Sequence, residues 1–310
     1  MKSLKGRDLL TLQDYTREEI MFILETAKML KQRYYSGERV IPILKGKTLA
    51  MIFQKPSTRT RVSFEVAMLQ LGGFVLYLSW NELQLGRGET IADTARVLSR
   101  YVDGIMARVY KQSDLEELAK YADIPIINGL SDLYHPCQAL GDMLTIWEKK
   151  GRLKDLKIAW VGDGNNVANS LIIISTKLGL DIAVATPKGY EPPKHVIEWA
   201  YENARASGSK IVLTNDPSEA VKDADVIYTD VWVSMGQEKE REIRLKVFRP
   251  YQVNKELIKK AKENVIFMHC LPAHRGEEVT DEVIDGPWSV VWDQAENRLH
   301  AQKAILSLLL

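Results

Sequence analysis

The sequence predicts an α/β protein made of two doubly wound parallel-sheet domains. Its 310 residues are enough for two domains of ordinary size. Short apolar runs alternate with stretches of helical periodicity along the chain, and this βαβ alternation is typical of parallel sheets covered by helices. The alternation restarts after a long helical stretch near the middle of the chain, which indicates a second sheet.

Four apolar runs predict buried strands of the first sheet. They are the segments 47–53, 74–79, 104–110 and 124–129. After the first run, apolar residues recur at the helical spacing i, i+3, i+4 and i+7: Phe64, Ala67, Met68 and Leu71. Gly72 and Gly73 then predict the end of this helix. A longer helix is predicted over 136–150.

Six further apolar runs predict the second sheet. They are the segments 156–164, 181–187, 210–215, 225–231, 264–270 and 288–294. We place the boundary near 149–154, so the domains span 1–150 and 151–292. The final segment, 293–310, has a helical pattern and is predicted to pack back on the first domain. The polar stretch 234–252 is predicted to be a surface loop with some helix.

Charge and cysteine content exclude several classes of protein. Lysine and arginine number 42 against 41 aspartates and glutamates, a formal net charge of +1 that argues against a nucleic-acid partner. The two cysteines cannot form a disulfide framework and indicate a reducing compartment. The first residues lack a signal-peptide core, and no apolar run approaches the roughly 20 residues that span a bilayer. We therefore expect a cytoplasmic protein with no membrane partner.

Chemically reactive residues follow the predicted strand ends. They are 57–61, Arg108, His135, Asn165, Asn166, Asp230, His269, Cys270 and 293–298. In doubly wound sheets, ligands bind at the carboxyl ends of the strands. This clustering predicts a ligand site more strongly than any single motif does.

The segment 57–61, Ser-Thr-Arg-Thr-Arg, begins the helix after the first strand. The first turn of a helix carries unpaired N–H groups and the positive end of the helix dipole, so it is suited to an anion. Ser57, Thr58 and Thr60 offer hydroxyl groups, and Arg59 can add a bidentate contact. In the alternative interpretation, Ser57 only caps the helix and the arginines face solvent. The segment lacks the GxxxxGK[ST] pattern of a Walker loop.

Two other stretches favour an anionic ligand with a carbonyl or amide group. His135 can donate a hydrogen bond to a developing oxyanion, and the Gln138 amide can hold a small NH₂ group. Alternatively, His135 only precedes a helix that starts at Pro136. Arg108 stands in an otherwise apolar strand, which favours a site over an arginine that extends to solvent.

The segment 160–170, WVGDGNNVANS, matches the dinucleotide-binding fingerprint poorly. Gly162 and Gly164 fit, but Val167 takes the place of the third glycine. No acidic residue ends the next strand to hold a ribose hydroxyl. We therefore predict no nicotinamide cofactor, although Asn166 can contact a small ligand.

Two strand ends of the second domain offer groups that suit an amino acid. Asp230 can pair with an amino group, and the turn after it, which includes Ser234, can offer backbone N–H groups to a carboxylate. His269 and Cys270 are neighbours on a strand and point to opposite faces, which argues against a nucleophile–base dyad. Cys270 either contacts the ligand or fills the core.

Taken together, these stretches resemble the aspartate/ornithine carbamoyltransferase family. The segments STRTR (57–61) and HPCQ (135–138) are similar to its carbamoyl phosphate motifs. The segments DVWVSMG (230–236) and HCLP (269–272) are similar to its ornithine branch, whereas aspartate enzymes generally have HPTQ and HPLP at the second and fourth motifs. The motifs occur in this order across the whole chain, and no motif position departs from the pattern.

The resemblance implies transfer of a carbamoyl group from carbamoyl phosphate to the side-chain amine of L-ornithine, which gives L-citrulline and phosphate. This reaction would serve arginine biosynthesis or the catabolic arginine deiminase route. The active site would lie in the cleft between the domains and would need neither a metal nor an organic cofactor. The catalytic residues would be Arg59, Arg108, His135 and Cys270.

The resemblance also implies substrate contacts and an assembly. Carbamoyl phosphate would be bound by Ser57, Thr58, Arg59, Thr60, Gln84, Arg108, His135, Pro136, Cys137, Gln138, Cys270, Leu271 and Arg298. Ornithine would be bound by Asn166, Asp230, Ser234 and Met235. Gln84 would reach into the site of a neighbouring subunit, which implies a homotrimer or a larger assembly of trimers.

Other interpretations stay open at this point. The acceptor could be another amine such as putrescine or a modified ornithine, although Asp230 suits an α-amino group, and aspartate is favoured still less. The chain could instead be a binding or regulatory subunit without catalysis, or a nucleotide-dependent dehydrogenase. The segment 232–252 is predicted to close over the substrates and exclude water.

Overall fold

The computed structural model describes residues 3–234 and 236–310. The chain divides into two compact units, each containing its own parallel sheet. The first unit comprises Met1–Leu144 and Glu296–Leu310, and the second comprises Thr145–Ala295. The first division therefore falls after Leu144, inside a helix, whereas the sequence placed the boundary near 149–154.

The first unit has four parallel strands in the order β2-β1-β3-β4. Its elements are α1 (Arg17–Tyr35), β1 (Thr48–Phe53), α2 (Thr58–Gln70), β2 (Phe74–Ser79), α3 (Ile91–Leu98), β3 (Gly104–Arg108), α4 (Gln112–Tyr121), β4 (Ile126–Leu130) and α5 (Pro136–Lys150). The last residues of α5 belong to the second unit. The strand order reverses between β1 and β3, and ligands bind at such a switch point in doubly wound sheets.

The second unit has five parallel strands in the order β7-β6-β5-β8-β9. Its elements are β5 (Lys157–Val161), α6 (Asn166–Leu178), β6 (Asp181–Ala185), α7 (Lys194–Ser207), β7 (Ile211–Thr214), α8 (Pro217–Val221), β8 (Val226–Thr229), α9 (Arg241–Phe248), α10 (Lys255–Ile258), β9 (Ile266–His269), α11 (Asp281–Ile284) and α12 (Val291–Leu309). From Glu296 onwards, α12 belongs to the first unit. The switch point here lies between β5 and β8.

The central strands explain why these sequences form parallel sheets. Every residue of β3 and of β8 is buried. Such strands have apolar side chains on both faces, which is the pattern expected when helices cover both sides of a sheet. In the second unit, Ala159, Ile227 and Phe267 from three neighbouring strands pack into one core cluster. The predicted fold class, an α/β chain with two parallel sheets, is confirmed.

The strand β2 differs from its prediction as a buried strand. It lies at the edge of the first sheet, and its side chains are exposed or half-buried, with Phe74 64% exposed. An apolar run has the same appearance in the sequence whether it is central or peripheral, because position in the sheet is set by the other strands. The exposed face of β2 is therefore an apolar surface of this chain.

The predicted strand over 288–294 is wrong. Ser289 forms only an isolated bridge with Phe267, and α12 begins at Val291. A short apolar run fits a buried strand and a buried helix equally well. Val291 does pack in the core of the second unit, but it does so from the first turn of a helix.

The polar stretch 234–252 is more helical than the sequence suggested. It contains the 3-10 turns Glu238–Glu240 and Arg249–Tyr251, with α9 between them. Arg244 and Phe248 of α9 are buried although the other residues around them are mostly charged. Among residues 3–234 and 236–310, no helix combines the length and apolarity needed to cross a membrane.

Candidate active site

The first turn of α2 separates the two arginines of the segment 57–61. Ser57 Oγ accepts a hydrogen bond from the Thr60 N–H group at 3.2 Å, so Ser57 caps the helix. Arg61 is exposed and forms an ion pair with Glu65 at 2.9 Å. Thr60 is buried and Arg59 is half-buried. Arg61 therefore lies on the surface, whereas Arg59 and Thr60 are the residues of this segment that can take part in a binding site.

Arg298 joins three helices of the first unit. Its Nη1 atom donates to Gln138 Oε1 of α5 at 2.7 Å, and its Nη2 atom donates to Thr60 Oγ1 of α2 at 3.2 Å. All three side chains are buried. A Cβ atom at Gly141 would lie 3.4 Å from the backbone nitrogen of Arg298, at ordinary contact distance, so α12 lies directly against α5 here.

His135 lies in the positive potential of three arginines. Burial lowers its pKa well below the usual 6.5, and the neighbouring charges of Arg298, Arg108 and Arg59 lower the pKa further. Arg108 is itself buried, at the carboxyl end of β3. The imidazole is therefore neutral near pH 7. The same potential that disfavours the imidazolium favours a bound anion.

The amide of Gln138 is held from two sides. Its Nε2 atom donates to Asp142 Oδ1 at 2.9 Å, while its Oε1 atom accepts from Arg298. Gln138 and Asp142 are four residues apart on α5 and are both buried. Sequence reasoning did not select Asp142, although its i+4 spacing from Gln138 was a signal that could have found it.

The other predicted carbamoyl phosphate residues of the first unit have different environments. The Cys137 thiol donates to the Asn128 carbonyl at 3.3 Å, and burial raises the pKa of this thiol to about 12. This side chain therefore belongs to the core, and only the backbone of Cys137 remains for a ligand. Pro136 is the first residue of α5. Gln84 is exposed in the 3-10 turn Gln84–Arg87.

Asp230 connects three strand ends of the second unit. It follows β8 directly, and its Oδ2 atom accepts from Asn165 Nδ2 at 2.8 Å. Its Oδ1 atom accepts from the Cys270 thiol, after β9, at 3.0 Å. Asn165, after β5, also caps α6 by accepting from the N–H groups of Val167 and Ala168. A buried carboxylate thus lies at the switch point, with an amide and a thiol as hydrogen-bond donors.

The remaining predicted ornithine residues lie close to Asp230 in the sequence or on the neighbouring turn. Asn166 is the first residue of α6. The amide that contacts Asp230 belongs to Asn165, which the sequence placed among the reactive residues at the strand ends but not among those expected to bind ornithine. The Ser234 N–H group donates to Gln237 Oε1 at 3.0 Å. Met235 lies outside the described residues.

His269 supports the turn that carries Cys270. Its Nδ1 atom accepts from the Leu271 N–H group at 2.9 Å, so the ring proton is on Nε2. Nε2 lies 3.0 Å from Oε1 of the buried Glu278 and donates to it. Glu278 Oε1 also accepts from the His274 N–H group at 2.6 Å. Both ring nitrogens of His269 are therefore committed to this turn.

Arg244 attaches the segment after Asp230 to the turn after β5. Its Nε atom donates to the Trp232 carbonyl at 2.6 Å, and its guanidinium pairs with Asp163. Burial raises the pKa of Asp163 to about 6, Arg244 opposes this rise, and the nearby charge of Asp230 adds to it. The backbone between Asp230 and Ser234 is thus fixed by a buried ion pair.

Within residues 3–234 and 236–310, two groups of side chains have donor atoms close enough to share a metal ion. They are Asp230, His269 and Cys270, and separately His274, Glu277 and Glu278. In the first group, His269 uses both ring nitrogens within the protein. In the second group, Glu277 pairs with Arg241 and Glu278 bonds to His269. Neither group presents a complete set of ligand atoms to a metal.

Models of two protein-domain families match most of the chain. The carbamoyl-P binding domain of aspartate/ornithine carbamoyltransferase matches residues 7–148. The Asp/Orn binding domain of the same enzymes matches residues 154–309. The chain belongs to the aspartate/ornithine carbamoyltransferase family.

Two relatives of high similarity come from Pyrococcus. The ornithine carbamoyltransferase of Pyrococcus abyssi is 71% identical, over 99% of this chain and 97% of that protein. The protein of Pyrococcus furiosus described as "Ornithine carbamoyltransferase, anabolic" is 70% identical, over 99% and 98% of the two chains. These similarities extend over the whole length of both sequences.

Solved structures of the family have the same fold. The structure of ornithine carbamoyltransferase from Pyrococcus furiosus superposes with a TM-score of 0.97 at 70% identity, over 100% of this chain and 98% of that chain. The enzyme from Gloeobacter violaceus gives a TM-score of 0.88 at 49% identity, over 98% and 99% of the two chains. The architecture therefore persists in relatives that share about half of their residues.

The environment of His135 predicts a specific dependence of stability on pH. Unfolded histidine titrates near 6.5, whereas the folded pKa of His135 is lower, so below pH 6.5 the unfolded state binds a proton that the folded state does not. The free energy of unfolding should therefore decrease as the pH is lowered below 6.5, by up to ~1.4 kcal/mol per pH unit from this residue. Urea unfolding between pH 7.5 and 5 should show a shallower slope in His135→Gln. An equal slope in both proteins would contradict a lowered pKa.

Proposed function

We propose that the protein transfers the carbamoyl group of carbamoyl phosphate to the side-chain amine of L-ornithine, which gives L-citrulline and phosphate. One observation carries this proposal most directly: Arg59, Arg108 and Arg298 act on one buried, neutral imidazole beside a fixed glutamine amide. Such a site suits a phosphate attached to a carbonyl and an amide. Full-length similarity to enzymes called ornithine carbamoyltransferase supports L-ornithine as the acceptor.

The phosphate would bind at the first turn of α2. There, N–H groups of the helix start and the hydroxyls of Ser57, Thr58 and Thr60 would face the anion, as at other helix N-termini. Arg59 adds a charge that helps to offset that of the phosphate. The phosphate then leaves in a site where its negative charge is already balanced.

The carbamoyl group would bind beside His135. The guanidinium of Arg108 and the imidazole of His135 can donate to the carbonyl oxygen, which becomes an oxyanion when the amine attacks. A donor of this kind typically contributes about 2.7–4 kcal/mol to the stability of the transition state. Because His135 is neutral, it can donate a hydrogen bond without carrying a positive charge of its own.

Ornithine would bind in the second unit, with its α-amino group at Asp230. The hydrogen bonds of this carboxylate among the described residues come from the neutral Asn165 amide and Cys270 thiol, so its charge is left for a cationic group. The N–H group of Ser234 would bind the carboxylate of ornithine after Gln237 releases it. Asn166 and Met235 would complete these contacts.

The reaction itself requires a neutral amine. A free alkyl amine has a pKa near 10, and removal of water around it favours the neutral form. The amine nitrogen attacks the carbonyl carbon, a C–N bond forms, and the C–O bond to phosphate breaks. The amine loses its extra proton to the departing phosphate or to solvent. Closure of the segment 232–252 would exclude water, which would otherwise hydrolyse carbamoyl phosphate.

We propose a homotrimer, as the family resemblance implies, and exposed apolar side chains of β2 and α2 support an interface. They are Phe74, Leu76 and Tyr77 of β2 and Val62 and Leu69 of α2. Exposed apolar patches of this kind mark interaction sites. The chain continues from β2 into the turns that carry the exposed Gln84. A second copy of the chain that covers this surface would therefore lie close to Gln84.

Two further features concern the cell rather than the reaction. Cys137 and Cys270 are both free thiols, which supports a reducing compartment, the cytoplasm. The relative from Pyrococcus furiosus is described as anabolic, which favours the biosynthetic direction for this chain.

A product assay tests the proposed reaction. Purified protein with carbamoyl phosphate should form citrulline and phosphate in equal amounts when ornithine is added, and neither product above background with putrescine or aspartate.

Asp230→Asn should raise the KM for ornithine and leave that for carbamoyl phosphate nearly unchanged, because the substitution removes the charge that pairs with the amino group. Transfer to another amine would overturn the role of Asp230, and no transfer at all would overturn the proposed function.

The two arginines of α2 provide a matched pair of variants. Arg59→Ala should lower kcat/KM for carbamoyl phosphate by about 100-fold or more, because a donor to the phosphate and carbonyl is lost. Arg61→Ala removes the same side chain two residues away, where it pairs with Glu65 and lies over the ring of Tyr77. It should lower kcat/KM far less than Arg59→Ala does, because exposed ion pairs contribute little. Activity of Arg59→Ala within a few-fold of wild type would eliminate Arg59 from the site.

The trimer proposal is tested by mixing two inactive variants. Arg59→Ala retains an intact Gln84, and Gln84→Ala retains an intact segment 57–61. If Gln84 acts in the site of a neighbouring subunit, each mixed trimer contains one complete site, so co-expression should restore citrulline formation. Native mass spectrometry should show that the active fraction is a mixed trimer. Full activity of Gln84→Ala alone, or no recovery in mixed trimers, would contradict this arrangement.

A further inference from the structure

A phosphate cradle alone cannot choose the correct acyl donor. Carbamoyl phosphate and acetyl phosphate carry the same phosphate and the same carbonyl, and they differ only in an NH₂ group against a CH₃ group of similar size. An apolar pocket discriminates weakly between such isosteres, whereas a buried hydrogen-bond partner discriminates strongly. Selectivity for the carbamoyl group therefore requires an acceptor that faces the NH₂ group and cannot turn away.

Gln138 carries such an acceptor, and Arg298 is the first of two residues that fix the orientation of its amide. The guanidinium of Arg298 has only donors, so the atom 2.7 Å from its Nη1 must be the amide oxygen. If the amide were turned by 180°, its NH₂ group would face the donors of Arg298. The oxygen has two lone pairs, and the bond to Arg298 occupies one of them.

Asp142 is the second residue that fixes the orientation of the Gln138 amide. Its Oδ1 atom accepts from Gln138 Nε2 at 2.9 Å, so a turned amide would place its oxygen against a carboxylate oxygen. Asp142 is completely buried, at 0% exposure, and Gln138 is 1% exposed. In this low-dielectric environment, opposed like dipoles are costly because water cannot replace the lost bonds. The carboxylate and the guanidinium thus enforce the same orientation.

We propose that Asp142 is a positioning residue that sets the selectivity of the site for a carbamoyl over an acetyl group. It acts through Gln138, whose oxygen it keeps turned towards Arg298, with the second lone pair available to the NH₂ group of the donor. This inference rests on the proposed function, because it concerns the donor of that same reaction. It adds a residue that makes no contact with the substrate itself.

The experiment compares two ligands in wild type and in Asp142→Asn. Asparagine keeps the shape of aspartate but can donate as well as accept, so it no longer excludes the turned amide. Affinities for carbamoyl phosphate and acetyl phosphate are measured by calorimetry without ornithine. Wild type should bind carbamoyl phosphate at least ~30-fold more tightly, and the substitution should lower this ratio by ~10-fold, the size expected for a hydrogen bond to a charged group. The affinity for acetyl phosphate should stay within about twofold.

Control variants distinguish a change in the orientation of the Gln138 amide from a general loss of stability of the folded protein. Asp225→Asn makes the same change at another buried aspartate, which bonds to Lys157 N–H and Lys262 in the second unit, and it should leave the ratio unchanged. If Asp142→Asn does not fold, Asp142→Ser replaces the carboxylate by a hydroxyl that can also donate, and the same fall in the ratio is expected. The KM for ornithine should not change in Asp142→Asn or in Asp142→Ser.

The outcomes distinguish this inference from the proposed function. Equal loss of affinity for both ligands would mean that Asp142 is only structural and would overturn the inference, as would a wild-type ratio near one. A normal ratio in the variants would also overturn it. If wild type forms no citrulline from carbamoyl phosphate and ornithine, the proposed function fails. If wild type forms citrulline and the ratio falls as expected, both stand.

Discussion

The buried guanidinium of Arg298 is the constraint on which the candidate site of the first unit depends. A buried cation is tolerated only when its donors are satisfied. Two partners of Arg298 are Thr60 and Gln138, which lie 238 and 160 positions away in the sequence. These two bonds hold the starts of α2 and α5 at a fixed distance from α12. The hydroxyls of the first helix start and the amide of the second therefore have defined positions.

The arginines around His135 favour ligand binding at the expense of stability. Three positive charges near one imidazole repel each other and lower its pKa, so this arrangement does not stabilise the folded chain by itself. Natural sequences depart from favourable local electrostatics mainly at functional sites. A dianionic phosphate would relieve the repulsion. The positive potential around His135 therefore favours an anion at this place.

The second unit has the opposite charge at the corresponding place in its sheet. At the switch point between β5 and β8, the buried Asp230 receives hydrogen bonds from Asn165 and Cys270. The His269–Glu278 bond and the Arg244–Asp163 pair fix the two turns on either side. Each sheet therefore has a buried charged residue at its switch point, Arg108 in the first unit and Asp230 in the second.

The sequence by itself determined the α/β class, both parallel sheets and the helix start at Ser57, because these follow from periodicity and capping chemistry within a few neighbouring residues. It also selected Thr60, Gln138 and Arg298, but the contacts among them depend on three distant helices. The tertiary structure decided that β2 is an edge strand, that Val291 begins a helix and that Arg61 faces the surface. It also showed that Asn165 contacts Asp230, and it revealed Asp142. Burial and hydrogen-bond partners depend on what packs against a segment, and a local pattern carries no information about that neighbour.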